Sequence, residues 1–226
     1  MSLRKLTARI RRALRGKPRG ARDLIPDYAE YLRLQRETYA SHESEVERWA
    51  RGQRRFVEEA FAPLSRTLRV LDCACGDGVG LEALGSMGFK DPVGVEIAPQ
   101  KAARARALGF RVEEADMHDL SAFADGSFDA ILSSHTLEHA YDPGRALEEL
   151  RRLLVPGGRL FVVLPFPDTG ERNELAHVGK HELGTDRDDG GEAASLFFAT
   201  RGFNVVSRRL DDLREPEIWL FLCRHR

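Results

Sequence analysis

Residues 70–80 read V-L-D-C-A-C-G-D-G-V-G, from Val70 to Gly80. A short apolar run ends in an acid, Asp72, and passes into a turn with Ala74, Gly76, Gly78 and Gly80 at alternate positions. A helical pattern then begins at Val79. Glycine removes the Cβ that would keep a ligand away from the backbone, and the free amides at the start of a helix attract a carboxylate or phosphate. The segment therefore predicts a strand, a ligand-approaching turn and a helix, the opening unit of an open α/β sheet whose ligand sits beyond the carboxyl ends of the strands.

The same rhythm continues on the C-terminal side. Strands are expected at 68–72, 92–96, 110–114, 128–133 and 158–164, with helices at 79–87, 99–108 and 143–154 between them. Pro99 and Pro143 stand near first-turn positions, where the missing N–H costs nothing. Strict alternation of strand and helix predicts a parallel sheet covered on both faces. Past residue 192 the pattern changes to a helix at 193–201 and strands at 203–209 and 217–223, close enough to form an antiparallel hairpin. Pro156, Gly157 and Gly158 are read as a turn feeding the fifth strand. Residues 165–192 hold charges, glycines and few apolar groups, the profile of a functional or disordered loop. On the N-terminal side, residues 28–61 predict two helices broken near Ser41. The expected organisation is a basic arm (1–22), a helical lid (23–64) and a ligand-binding domain (65–226) with the loop inserted at 165–192.

Composition narrows the function. At 42% hydrophobic and 31% charged, the chain is too apolar to be wholly disordered and too polar to lie within a membrane. No apolar run approaches the roughly 18 residues that a spanning helix needs. Three cysteines, two spaced C-x-C, suggest neither a disulfide framework nor a zinc motif, and they fit a reducing cytoplasm. No apolar core follows the N-terminal basic residues, so no secretory leader is expected. Nine of the 35 Lys and Arg fall in residues 1–22, which hold no acid, leaving a body dominated by the 36 Asp and Glu. An acidic body repels phosphate, which argues against a nucleic-acid partner. The arm itself has Leu3, Leu6, Ile10 and Leu14 at helical spacing, a pattern compatible with peripheral contact at an anionic membrane.

Two acids flank the turn. Glu96 ends the second strand, where a carboxylate can accept from both hydroxyls of a ribose. Asp116 follows the third, in A-D-M-H-D-L, where it could accept from an exocyclic amine while Met117 lies against a base. Together they outline a cleft shaped for adenosine.

In these features the stretch 68–166 resembles the class I S-adenosylmethionine-dependent methyltransferases of the small-molecule type. The landmarks are the turn from Asp72 through Gly78 with Gly80, Glu96, Asp116, F-D-A-I-L-S-S-H-T-L-E-H at Phe128 to His139, and L-V-P-G-G at Leu154 to Gly158. Ala74 departs from the pattern, which has glycine there. The resemblance implies a Rossmann-like, doubly wound, seven-stranded sheet, mostly parallel with an antiparallel C-terminal edge hairpin and helices on both faces. It implies S-adenosylmethionine as cofactor, with S-adenosylhomocysteine as product. The implied cofactor contacts are Asp72, Ala74, Gly76 and Gly78 at the turn, Glu96 and Ile97 at the ribose, Asp116 and Met117 at the base, and Ser133 near the methionine portion.

The reaction implied is methyl transfer to a polar small-molecule acceptor such as a sugar, amine or hydroxylated metabolite. His135, His139, His177 and His181 are candidate bases, because imidazole titrates near neutrality. The spacing of His177 and His181 lacks the H-E-x-x-H order of a metal-binding helix, and no metal is expected. S-S-H-T after strand four lacks the [DN]-P-P-[YF] signature of enzymes that methylate base or glutamine amino groups. The alternatives are a nucleic-acid methyltransferase and a methyltransferase-like module that binds without catalysis.

Overall fold

The structure is a computed structural model that describes residues 25–40, 46–165, 181, 183, 190–211 and 216–226. The basic arm, His177 and most of the loop at 165–192 lie outside the described residues. Two helices, α1 (Tyr28–Ala40) and α2 (Val46–Phe61), precede β1 (Val70–Cys73), α3 (Val79–Ser86), β2 (Val93–Glu96), α4 (Pro99–Ala107), β3 (Arg111–Glu114) and β4 (Phe128–Ser134). A 3-10 turn (Leu137–His139), α5 (Pro143–Leu153), β5 (Leu154–Pro165), α6 (Glu192–Ala199), β6 (Phe203–Asp211) and β7 (Glu217–Arg224) complete the chain.

The seven strands lie in the order β3-β2-β1-β4-β5-β7-β6. The first five are mutually parallel, and β7 runs antiparallel to both β5 and β6. This is the doubly wound, mixed sheet expected, with the hairpin closing one edge. Central strands are apolar because both faces are covered: all four residues of β1 are buried. β6, at the edge, exposes the run from Val206 to Leu210, and only its two end residues are buried. Local chemistry sets the helix starts. Asp142 caps α5 by accepting from the amides of Gly144 and Arg145, at 3.0 and 3.1 Å, and Pro143 supplies the preset φ of the first turn. Ala146, Leu147, Leu150 and Leu153 then turn one apolar face to the sheet.

One expectation is corrected. Pro156, Gly157 and Gly158 do not form a turn ahead of the strand but lie inside β5, which begins at Leu154. β4 pairs Phe128 with Leu154 and then Ala130 with Arg159, so the extra residues on β5 are absorbed as a bulge, with Gly157 at φ 78°.

The order of the strands reverses between β1 and β4, which are neighbours although β2 and β3 lie between them in sequence. The crevice at this switch point lies along the carboxyl ends of the parallel strands, here called the crest. Because β7 runs the other way, its first residue, Glu217, arrives at the crest beside Pro165, the last residue of β5.

Candidate functional site

The turn after β1 is held by its neighbour strand. The Cys75 amide donates to the Val95 carbonyl at 2.9 Å, and the Glu96 carboxylate accepts from the Gly76 amide at 2.9 Å and the Ala98 amide at 2.8 Å. Glu96 thus clasps the turn with one oxygen and the start of α4 with the other, and each oxygen keeps a further lone pair. Burial raises its pKa, against the lowering effect of the Ala98 and Gly76 amides. Gly76 and Gly78 have φ of 56° and 95°, and Ala74 adopts 60° without glycine's freedom. Cys73 and Cys75 are buried, and burial followed by the charges of Asp72 and Glu96 pushes both thiols up, so they stay protonated.

Asp72 is 1% exposed, and neither carboxylate oxygen has a hydrogen-bond partner among the described residues. Gly80 faces it so closely that a Cβ there would stand 2.3 Å from Oδ2. Burial, and secondarily the charge of Glu96, pushes its pKa up to about 7. A buried carboxylate without partners is costly and calls for a donor or cation. A bound nucleoside carrying an ammonium and a sulfonium would supply one, so the residues present fit S-adenosylmethionine.

Asp116 stands near Glu96: β2 and β3 pair Glu96 with Glu114, and the Ala115 amide donates to the Glu96 carbonyl at 3.2 Å. Its carboxylate already has partners. Oδ1 accepts from the His118 amide at 3.2 Å and meets His118 Nδ1 at 2.7 Å, while Oδ2 accepts from the Tyr28 hydroxyl of α1. The Asp142 amide donates to His118 Nε2 at 3.1 Å, so Nδ1 carries the proton given to Asp116. Burial raises the Asp116 pKa, but the hydrogen bonds from His118 and the Tyr28 hydroxyl outweigh it and leave the pKa below its ordinary value. Ile97, in the bend after β2, is half-buried, as is Met117, which packs against the main core.

Beyond β4 the chain turns sharply. Ser133 is fully buried with an unpartnered Oγ among the described residues, and His135 takes φ 52°. The Thr136 hydroxyl donates to the Cys73 carbonyl at 3.5 Å, tying this turn to the end of β1. His135 Nε2 meets Glu217 Oε2 at 3.0 Å, and its Nδ1 lies 3.6 Å from Glu138 Oε1. His139 Nε2 is 3.7 Å from the same oxygen. Glu138 is 3% exposed on its side chain; burial would raise its pKa, but the two imidazoles outweigh it and hold it below the ordinary range. The His181 amide donates to the Glu138 carbonyl at 2.7 Å, bringing that histidine to the same turn. Tyr39 of α1 packs its ring edge-on to His139, and its hydroxyl is pushed up by burial, then by Glu138 and Glu96.

His135 and His139 therefore share one turn, and the His181 backbone docks on it. No sequence pattern singles out Tyr28, Tyr39 or Glu217 as members of the site. Glu217 leaves a trace, as an acid opening the otherwise apolar run E-I-W-L-F-L-C. Among the described residues, no group of three or more His, Cys, Asp or Glu is placed to hold a metal ion, and no helix is long and apolar enough to cross a membrane.

Known proteins resemble this chain in sequence and in fold. Residues 71–162 match the family described as Methyltransferase domain. A ubiquinone biosynthesis O-methyltransferase of Xanthomonas oryzae pv. oryzae is 36% identical over 102 residues, which cover 42% of this chain and 41% of that protein. The chain thus spans about two fifths of the length of the curated relatives it matches. Among solved structures, the cyclase SpnF superposes with a TM-score of 0.65 at 15% identity, covering 93% of this chain and 99% of that one. The 1,6-didemethyltoxoflavin-N1-methyltransferase of Burkholderia thailandensis, solved with its acceptor and S-adenosylhomocysteine, gives 0.66 at 18% identity, covering 88% and 87%. At these identities the structural likeness speaks for the fold alone. The sequence match goes further, because it spans the turn, both flanking acids and the turn after β4: residues 71–162 are a methyltransferase domain.

Proposed function

We propose that this protein transfers a methyl group from S-adenosylmethionine to a hydroxyl of a polar small molecule. The observation that carries this reading is the pair of buried carboxylates around a left-handed turn: Asp72 without a partner among the described residues and Glu96 clasping the Gly76 amide. Asp72 would meet the cationic amino-acid end of the cofactor, Glu96 and Ile97 its ribose, and Asp116 and Met117 its base, while the backbone at Ala74, Gly76 and Gly78 allows close approach. When bound, the cofactor supplies a methyl on a positively charged sulfur that keeps the C–S electron pair as the methyl leaves. The protein's own work is to align the acceptor, exclude water and take the acceptor's proton.

The hydroxyl acceptor is favoured over an amine or other small-molecule acceptor by the O-methyltransferase relatives and by imidazoles set beside buried carboxylates. His135 is the proposed base; His139 and His181 would line the acceptor side, and His177 is a further candidate from the sequence. Ser133 would lie near the methionine portion. In this reading α1 covers the cleft, with Tyr28 on Asp116 and Tyr39 against His139. The basic arm would give peripheral contact with an anionic surface.

The test is calorimetric titration with S-adenosylhomocysteine, followed by transfer of label from methyl-tritiated S-adenosylmethionine to a panel of catechols, sugars and aliphatic amines. Micromolar binding and labelling confined to hydroxyl acceptors are expected. Binding without transfer to any of them would favour a non-catalytic module, and absence of binding would overturn the reading.

A further inference from the structure

We infer that Tyr28 and His118 are positioning residues for Asp116: they fill all but one of its acceptor sites and leave the last, on Oδ2, for the 6-amino group of the cofactor's base. The inference rests on the methyl-transfer reading above and gives α1 a part in choosing the nucleoside.

A carboxylate has about two acceptor sites on each oxygen. Oδ1 of Asp116 takes the His118 amide at 3.2 Å and His118 Nδ1 at 2.7 Å, and so is filled. His118 is fixed in turn, because its Nε2 accepts from the Asp142 amide at 3.1 Å and its side chain is 1% exposed. The Asp119 amide closes the same turn on the Asp116 carbonyl at 2.9 Å. Oδ2 accepts from the Tyr28 hydroxyl alone among the described residues. The Asp116 side chain keeps 12% exposure, so one further donor can still reach that oxygen.

Tyr28 is held by its ring. The ring stacks on Tyr31 at 5.8 Å between centroids and meets Tyr141 at 4.9 Å and His118 at 5.7 Å, both edge-on. Beside it, the Tyr31 hydroxyl donates to the His139 carbonyl at 3.0 Å and the Tyr141 hydroxyl to the Pro26 carbonyl at 2.5 Å. These contacts dock the start of α1 without help from the Tyr28 hydroxyl, which is left to aim the carboxylate. Burial, and then the bond to Asp116, pushes the pKa of that hydroxyl up, so it remains a donor.

The arrangement discriminates between bases. A 6-amino purine brings an N–H to the open site on Oδ2. A 6-oxo purine brings a carbonyl oxygen, and two acceptors then face each other with no proton between them, because the bonds from His118 and Tyr28 keep Asp116 ionised. A site built to accept from a ligand N–H rejects an analogue that lacks it.

The experiment is calorimetric titration of the full chain with S-adenosylhomocysteine and with S-inosylhomocysteine, which carries a carbonyl oxygen in place of the amino group. The native chain should bind the adenosyl compound at least about a hundredfold more tightly. Tyr28→Phe keeps the ring and its packing; it should weaken the adenosyl compound about tenfold and the inosyl compound by less than about twofold. In Asp116→Asn the His118 donors hold the carboxamide oxygen, so Nδ2 replaces Oδ2 and donates. The adenosyl preference should then vanish or reverse, and this variant serves if Tyr28→Phe does not melt cooperatively. Equal losses for the two compounds in Tyr28→Phe would make Tyr28 a support for the helix only, and they overturn the inference. Tighter adenosyl binding by Tyr28→Phe, which would put the hydroxyl in the amine's place, also overturns it, as does a native chain that binds both compounds alike or an Asp116→Asn variant that keeps the native preference. Each of these leaves the methyl-transfer reading standing while the native chain binds S-adenosylhomocysteine; binding of neither compound strikes that reading, and the inference with it.

Discussion

Ala74 holds φ 60° where the backbone turns from β1 toward α3, a conformation that presses Cβ against the following carbonyl. The sequence marks this residue as the departure from a glycine pattern, but only the dihedral shows that the alanine sits in the costly left-handed region. Relief of about 1–2 kcal/mol of strain, less about 0.4–1 kcal/mol for the greater freedom of glycine in the unfolded chain, leaves a net gain. Ala74→Gly should therefore raise stability in urea unfolding by about 0.5–1 kcal/mol, and a loss would show that the turn depends on the methyl group. Asp72, two residues earlier, gives the opposite kind of signal. Its pKa rises from the usual carboxylate value of 3.8 to about 7 in the folded protein, so the folded state binds more protons than the unfolded state between those pH values. This contribution makes stability fall as pH rises through that window and level off above it. Asp72→Asn removes the ionisation. Its melting temperature should lack that decline relative to the native chain, while its affinity for S-adenosylhomocysteine falls at least tenfold. A decline of equal slope in both would mean that Asp72 is not the group responsible.

At the level of elements, Gly94 shows how strand β2 makes room for the turn it clasps. A Cβ there would stand 2.6 Å from Cys75 Sγ and 3.0 Å from Leu81 Cδ1. Gly94→Ala should cost about 1–3 kcal/mol as an overpacked core position and displace the Cys75 amide from Val95. Cys75→Ala in the same chain removes the sulfur and should restore most of the loss; a double variant no better than the single one would place the strain elsewhere. Most elements are legible in the sequence because the signals that start and stop them are local. Pro143 announces α5 because a first-turn proline is local chemistry, and Asp72 and Glu96 stand out because an acid closing an apolar strand is a local pattern. The bulge in β5 passes for a turn because P-G-G has the same composition in either setting, and only pairing with β4 distinguishes them. Tyr28 and Glu217 escape for a different reason. Their partners, Asp116 and His135, lie 88 and 82 residues away, and no spacing rule within one element connects them.

At the scale of the whole molecule, the two helices before β1 differ in what they bury, although the sequence groups them as one unit over the cleft. α2 sends Phe56, Val57, Ala60 and Phe61 into a core cluster with Val70, Leu84, Phe89, Phe161 and Trp219. Phe61 and Phe161 ring centroids are 4.6 Å apart, and those of Phe56 and Trp219 are 4.8 Å apart. Ion pairs from Arg55 to the buried Asp211 at 3.1 Å and from Arg209 to Glu59 at 2.6 Å edge this contact, and the exposure of the second makes it a minor contributor beside the apolar area. α1 instead places only Tyr31 fully within its own small cluster, alongside half-buried Tyr28, Leu32, Leu34 and Tyr141, and faces the cleft with Tyr39. Burial of about 1.5–3 kcal/mol for each of Phe56, Val57 and Phe61 amounts to a large share of the roughly 5–15 kcal/mol by which a domain is stable. A chain started at residue 46 should therefore still melt in one cooperative step by circular dichroism, yet bind S-adenosylhomocysteine at least tenfold more weakly, having lost its cover. A chain started at residue 62 should expose Trp219 and Phe161, bind a hydrophobic dye and show no cooperative melt. If the longer truncation melts as sharply as the shorter one, α2 is a cover like α1 and the sheet closes its core without it.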